Sequence, residues 1–188
     1  MKVRIFLGKE RLLQNDFESM ENAEEYLKEY LAKKGEEAKV EEIADTHKKY
    51  HLANGEVYTL IKHIEVVAAI LIVDGKVFST QRGYGEFKDG WEFPGGKMEP
   101  GETMQQALER ELREELAFKA KATDLIKTVE YTYPKFHLTM HCIKTEIVEG
   151  KPNLLEHEAA CWVDKSQIDN VAWLPADLEV IEEVKKLL

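Results

Sequence analysis

A chain of 188 residues, 44 % of them hydrophobic, has the size and apolar content of one globular domain, or of one domain with a small addition. Its formal net charge of -10 repels a nucleic-acid backbone and argues against a DNA or RNA polymer as partner, although a small anion can still bind if a metal ion carries the opposing charge. Cys142 and Cys161 do not make a disulfide framework, no apolar run reaches membrane-spanning length, and residues 1–7 lack the apolar stretch of a signal peptide, so the expectation is a soluble cytoplasmic protein without a membrane partner, either monomer or homodimer.

Residues 3–7 are β-branched or apolar and predict a short strand. Ser19 then precedes a run in which Tyr26, Leu27, Tyr30 and Leu31 share one face. This predicts a helix from Met20 to about Lys34, stopped by Gly35. Residues 49–53 and 56–60 flank Asn54-Gly55, the dipeptide of a two-residue type I′ hairpin. Residues 1–61 thus read as a small α+β unit of strand, helix and hairpin, and residues 62–188 as a second, larger one. In the second, the apolar run 64–73 turns through Asp74-Gly75 into 76–80, a hairpin with a buried first strand. A glycine-rich loop covers 83–90, and 103–116 is a strong helix. Strands are expected around 126–133, 137–147 and 159–163, and Leu178, Ile181, Val184 and Leu188 line one face of a final helix over 176–188.

The chemistry concentrates in residues 91–116. On a helical wheel with Leu108 at zero, Leu112 and Leu116 fall at about 40° and 80°, and Glu111, Glu114 and Glu115 at about 300°, 240° and 340°. Three carboxylates therefore share a face beside the apolar stripe, at the edge of the core. They repel one another. A hard divalent cation relieves that repulsion, and Mg²⁺ favours a few carboxylates together with phosphates and water. Arg110, four residues before Glu114, is spaced to orient it by a salt bridge. Gly95-Gly96 permits close backbone approach and offers a carbonyl to a metal. A Glu-rich helix alone is usually a solvated face, but the Gly-Gly turn and the fixed Glu102 favour the metal.

These residues resemble the Nudix box, G-x5-E-x7-R-E-U-x-E-E-x-G-U with U a bulky aliphatic: Gly96, Glu102, Arg110-Glu111, Leu112 and Glu114-Glu115 stand at the motif positions. Ala117 replaces the motif glycine; if that residue must take a positive φ, alanine costs about 1 kcal/mol. The resemblance covers roughly residues 65–188, and 66–70, Gln81-Arg82 and 91–96 are similar to the MutT and CTP pyrophosphohydrolase branch. It implies an α/β fold, an α/β/α sandwich with a mixed β-sheet, and assigns no function to residues 1–61.

The resemblance also implies hydrolysis of a nucleoside triphosphate to monophosphate and pyrophosphate by attack at the β-phosphorus. The implied cofactor is Mg²⁺, with Mn²⁺ as a substitute. The implied metal ligands are the Gly95 carbonyl, Glu111, Glu114, Glu115 and a later-loop acid, Glu156, with Glu158 as its competitor. Glu102 and Arg110 complete the catalytic set, and the general base stays open among Glu111, Glu115 and Glu156. Arg82 is similar to the residue that meets the phosphates; Glu92, Phe93 and Asp177 complete the substrate-binding set. Asp177 equally reads as the N-cap of the final helix. The expected role is removal of 8-oxo-dGTP from the nucleotide pool, with CTP or dCTP hydrolysis as the alternative. A nucleotide-sensing module without hydrolysis would have lost box carboxylates, and Glu102, Glu111, Glu114 and Glu115 are all present. An assembly role for residues 1–61 predicts exposed apolar surface at Tyr26, Tyr30 and Leu31.

Overall fold

Ser19 accepts a hydrogen bond from the Asn22 N–H at 3.1 Å and Gly35 turns left-handed, so helix α1 (Met20–Lys34) begins and ends at its capping residues. A computed structural model describes residues 1–13 and 16–188 of the chain, which divides into two units. The first holds Met1–Ile64 with Thr132–Leu138, and the second holds Glu65–Tyr131 and Thr139–Leu188. The sequence pattern ends the first unit at residue 61 and does not attach 132–138 to it, because contacts such as that of Thr46 Oγ1 with the Lys135 carbonyl, 89 positions away, leave no local signal.

In the first unit α1 lies with strands β1 (Lys2–Leu7), β2 (Glu10–Arg11), β3 (Ala38–Ala44), β4 (His47–Leu52) and the first part of β5 (Val57–Val73). The order is β2-β1-β5-β4-β3, antiparallel throughout. Ile5 opposite Leu60 and Tyr50 opposite Tyr58 give the face that meets Ala23, Leu27 and Leu31 of the helix. Arg4 and Arg11 donate to Asp16 at 2.8 and 2.7 Å, and His63 Nδ1 lies 3.0 Å from its other oxygen.

Four expectations for this unit need correction. Strand β3 is absent from the sequence-based prediction, because it is exposed over most of its length and lacks the alternation that marks a half-buried strand. The Asn54-Gly55 turn is not a two-residue type I′ hairpin. The Leu52 N–H donates to the Glu56 carbonyl, leaving a three-residue loop in which only Gly55, at φ 89°, is left-handed. Strand β5 runs unbroken where two strands are expected, since His63 is buried beside Asp16. Finally, Leu31 is buried and Tyr26 and Tyr30 are half-buried against the core, not exposed as an assembly role predicts.

In the second unit the remainder of β5 turns through Asp74 (φ 49°) and Gly75 (φ 69°) into β6 (Lys76–Gln81), with both turn residues left-handed as a type I′ turn requires. Strands β7 (Trp91–Glu92) and β8 (Gly95–Lys97) pair with β6 and β5. Helix α2 (Met104–Leu116) follows, then β9 (Lys119–Thr132), β10 (His137–Glu149) and β11 (Ala159–Asp164). β10 pairs with both β9 and β5, and β11 with β6. Antiparallel ladders and a parallel bridge between Trp91 and Trp173 make this an α/β fold with a large sheet and few helices.

Thr103 starts α2 through a capping box with Gln106. Ala107, Leu108, Leu112 and Leu116 are buried against Val67, Ala69, Leu71, Phe78 and Ile143. Each of these leucines contributes about 1.5–3 kcal/mol by leaving water, which fixes the rotation of the helix and hence where its glutamates point. The chain ends in two helices where one is expected, α3 (Pro175–Leu178) and α4 (Ile181–Leu187). Lys127 Nζ takes the Glu179 carbonyl that a continuous helix would offer to the Glu183 N–H, which donates instead to the Val180 carbonyl at 3.1 Å. Leu178 is consequently exposed, while Ile181 and Val184 are buried. Both cysteines are free thiols, Cys142 buried and Cys161 half-buried. Among the described residues no helix is long and apolar enough to cross a membrane.

Candidate active site

Two glycines place a backbone turn against β5 and α2. A Cβ on Gly95 would lie 2.0 Å from the Val67 carbonyl oxygen, so the close strand contact excludes any side chain. A Cβ on Gly96 would lie 2.3–2.6 Å from the carboxyl atoms of Glu111, so the missing side chain is the space that this carboxylate occupies.

Arg110 organises the acids around that turn. Its Nε and Nη2 donate to the two oxygens of Glu102 at 2.7 and 2.8 Å, and Nη2 also donates to the Lys97 carbonyl at 3.0 Å. Nη1 donates to Glu111 at 2.9 Å and to Glu114 at 3.3 Å. Glu102 further accepts the Glu99 N–H at 2.9 Å. The Arg110 hydrogen bonds, then the Glu99 N–H, hold the Glu102 carboxyl down at about 2. Both Glu102 oxygens are thus committed, and this residue clamps the turn to the helix. The helical wheel places three acids alike at the core edge. Instead Glu114 swings outward to 60 % side-chain exposure, while Glu111 and Glu115 keep only 14 % and 17 %.

Glu115 is the box acid that Arg110 does not reach. Its Oε2 is buried without a hydrogen-bond partner. Burial, with the like charges of Glu111, Glu156 and Glu92 adding to it and His157 opposing, pushes its carboxyl up to about 7. The loop after β10 returns to this corner: the Leu155 and Asn153 N–H groups donate to the carbonyls of Glu115 and Leu116 at 3.0 and 2.8 Å. Glu156 is exposed, near enough for its charge to act on Glu115; Glu158 is exposed and packs its Cβ against Gly83. Between them His157 is buried, its Nε2 3.6 Å from Glu92 and 4.0 Å from Glu115. The one signal of His157 in the sequence is its place between two glutamates in a loop rich in charge.

Arg82 does not point free toward solvent. Its Nε and Nη2 donate to Glu92 at 3.1 and 2.5 Å. Burial raises the Glu92 carboxyl, but His157 and Arg82 more than offset this and leave it below the ordinary carboxylate range. Phe93 is buried and stacks on Trp173 at 4.6 Å. Asp177 is not the N-cap of a helix: Leu174 holds that place in α3, and the Asp177 side chain, 4 % exposed, turns inward to accept the Phe93 N–H at 2.9 Å. Burial pushes its carboxyl up to about 8 against the pull of that hydrogen bond.

Among the described residues no three His, Cys, Asp or Glu side chains close into a ready cage for a cation. The donors nonetheless suit a hard divalent ion that keeps water and substrate oxygens in its shell: every candidate is an oxygen, Glu111 has a cleared cradle, and the Glu115 Oε2 is buried without a partner.

The NUDIX domain family matches residues 62–184. This chain is 36 % identical to the CTP pyrophosphohydrolase of Escherichia coli strain K12 over 65 % of its length and 91 % of that protein's. It is 31 % identical to the 8-oxo-dGTP diphosphatase of the same organism, over 68 % of its length and all of that protein. The solved structure of the E. coli ORF135 protein superposes with a TM-score of 0.59 at 35 % identity, over 67 % of this chain and 91 % of that one. The chain belongs to the NUDIX family and is a hydrolase of its fold, and such hydrolases generally use a divalent metal.

Proposed function

We propose that this protein is a Mg²⁺-dependent nucleoside triphosphate pyrophosphohydrolase, acting on 8-oxo-dGTP in the manner its 31 % relative is named for. The observation that carries the reading is the carboxylate corner: Arg110 fixes Glu102, Glu111 and Glu114, and Glu115 stands buried beside them with an oxygen unpaired. The Gly95 carbonyl, Glu111, Glu114, Glu115 and Glu156 are the residues that would hold the ion. When bound, Mg²⁺ or Mn²⁺ supplies polarisation of phosphoryl oxygens and a lowered pKa for water.

The chain's own groups do the rest. Water adds to the β-phosphorus, the bond from that phosphorus to the α–β bridging oxygen breaks, and nucleoside monophosphate and pyrophosphate leave. Glu111, Glu115 or Glu156 takes the water proton; Glu102 does not, since Arg110 and the Glu99 N–H hold both its oxygens. Arg82 meets the phosphates, exchanging its Glu92 partner for a phosphoryl oxygen. Phe93 and Asp177 stand at the base: a protonated Asp177 presents an O–H and an acceptor, which can match the edge of an oxidised guanine. A small anionic substrate and an acidic chain support work on the free nucleotide pool of the cytoplasm rather than on a nucleic-acid polymer.

CTP or dCTP is the second reading, favoured by the 36 % relative. An ionised Asp177 would accept from a cytosine amino group. A panel of 8-oxo-dGTP, dGTP, CTP and dCTP with Mg²⁺, scored for monophosphate and pyrophosphate, decides. Preference for 8-oxo-dGTP supports the first reading, preference for CTP or dCTP the second, and release of single phosphates or no turnover contradicts both.

A further inference from the structure

Arg110 supplies donors to Glu102, Glu111 and Glu114, but nothing on α2 does the same for Glu115. A buried carboxylate without a donor is costly and free to swing. Among the described residues the one basic side chain within 4.0 Å of it is His157. We propose that His157 is a positioning residue for Glu115, shared with Glu92, in a row Arg82–Glu92–His157–Glu115 that ties the phosphate side of the site to the metal side. The inference rests on the reading of Glu115 as a metal ligand.

The loop geometry supports this role. His157 is anchored on both flanks: the Leu155 N–H donates to the carbonyl of Glu115 itself at 3.0 Å, and the Glu158 N–H donates to Gln81, beside Arg82, at 3.1 Å. Its side chain is 8 % exposed, so the ring lies against its neighbours and is not turned out to solvent. Nδ1 is buried without a partner, so no other hydrogen bond dictates the ring's orientation. Nε2 instead faces the two carboxylates, at 3.6 and 4.0 Å. These separations exceed a hydrogen bond and describe a ring poised between two acceptors, with an N–H available to either. Residues of this kind, one step behind a metal ligand, typically change metal affinity about ten- to hundredfold when lost.

The test is the Mn²⁺ affinity of four full-length proteins, read by the spectroscopic signal of free Mn²⁺ without nucleotide: wild type, His157→Leu, Glu115→Gln and the double variant. Melting curves show that each is folded. If His157 acts through Glu115, His157→Leu weakens Mn²⁺ binding about tenfold or more in the wild-type background and has no further effect beside Glu115→Gln. Equal losses in both backgrounds, or none in either, overturn the inference. Should the leucine variant lack a melting transition, His157→Gln takes its place in the same cycle, and the same two patterns support or overturn the inference. A wild type that binds no Mn²⁺ overturns the metal reading and this inference with it; a wild type that binds with a flat cycle overturns the inference alone.

Discussion

The Phe93 N–H donates to Asp177 Oδ1 at 2.9 Å, joining the residue before the Pro-Gly-Gly turn to the first turn of α3 across 84 positions of sequence. The contact is buried, and that burial sets how Asp177 responds to pH. Burial raises its carboxyl from the ordinary 3.8 to about 8, so the folded protein holds this proton more tightly than the unfolded chain. The resulting stability is fully present below about pH 4 and is lost as pH rises toward 8. Asp177→Asn keeps the acceptor and removes the titration. Melting curves should show wild type losing ground to this variant between those pH values, with the gap constant above them. A gap independent of pH would contradict the burial of a titrating acid there.

Asp177 should also govern base choice more than metal dependence. A buried hydrogen-bonding group left without its match costs about 1–3 kcal/mol, so Asp177→Asn or Asp177→Ala should shift kcat/KM unequally across 8-oxo-dGTP, dGTP, CTP and dCTP. Equal loss on all four would show that the residue only supports the turn at Phe93.

The two glycines of the box turn should separate experimentally. Gly95→Ala drives a Cβ into the Val67 backbone at 2.0 Å and should break the β5–β8 pairing, with a large fall in melting temperature. Gly96→Ala meets the movable carboxylate of Glu111, so the fold should survive and kcat fall about ten- to hundredfold. An active Gly96→Ala protein would remove Glu111 from the site.

Ala117 ends α2 in the left-handed conformation, at φ 52°, where the family motif has glycine. Ala117→Gly should therefore stabilise the protein by about 1 kcal/mol. Chemical denaturation measures this; unchanged or reduced stability would mean that the conformation carries no strain.

What the sequence disclosed follows from what is local. The caps at Ser19 and Gly35, the turn at Asp74-Gly75 and the apolar stripe of α2 all depend on neighbours a few residues apart. Strand β3 escaped because its side chains do not alternate between buried and exposed, and the final helix broke because Lys127, from another strand, captured the Glu179 carbonyl. In the site, spacing brought Glu102, Arg110, Glu111, Glu114 and Glu115 into view as candidates. It could not show that Arg110 draws Glu114 outward, that Arg82 is held by Glu92, or that His157 returns from a distant loop to face Glu115.

Everything proposed for the site depends on the glutamate face of α2 holding a divalent metal for hydrolysis, and Glu115→Gln probes that dependence at its source. The substitution keeps size and removes a charge. With saturating Mg²⁺ and the preferred nucleotide, kcat for pyrophosphate release should fall by orders of magnitude while the melting curve shows a folded protein. Turnover near wild type in that folded variant would contradict a metal role for this face.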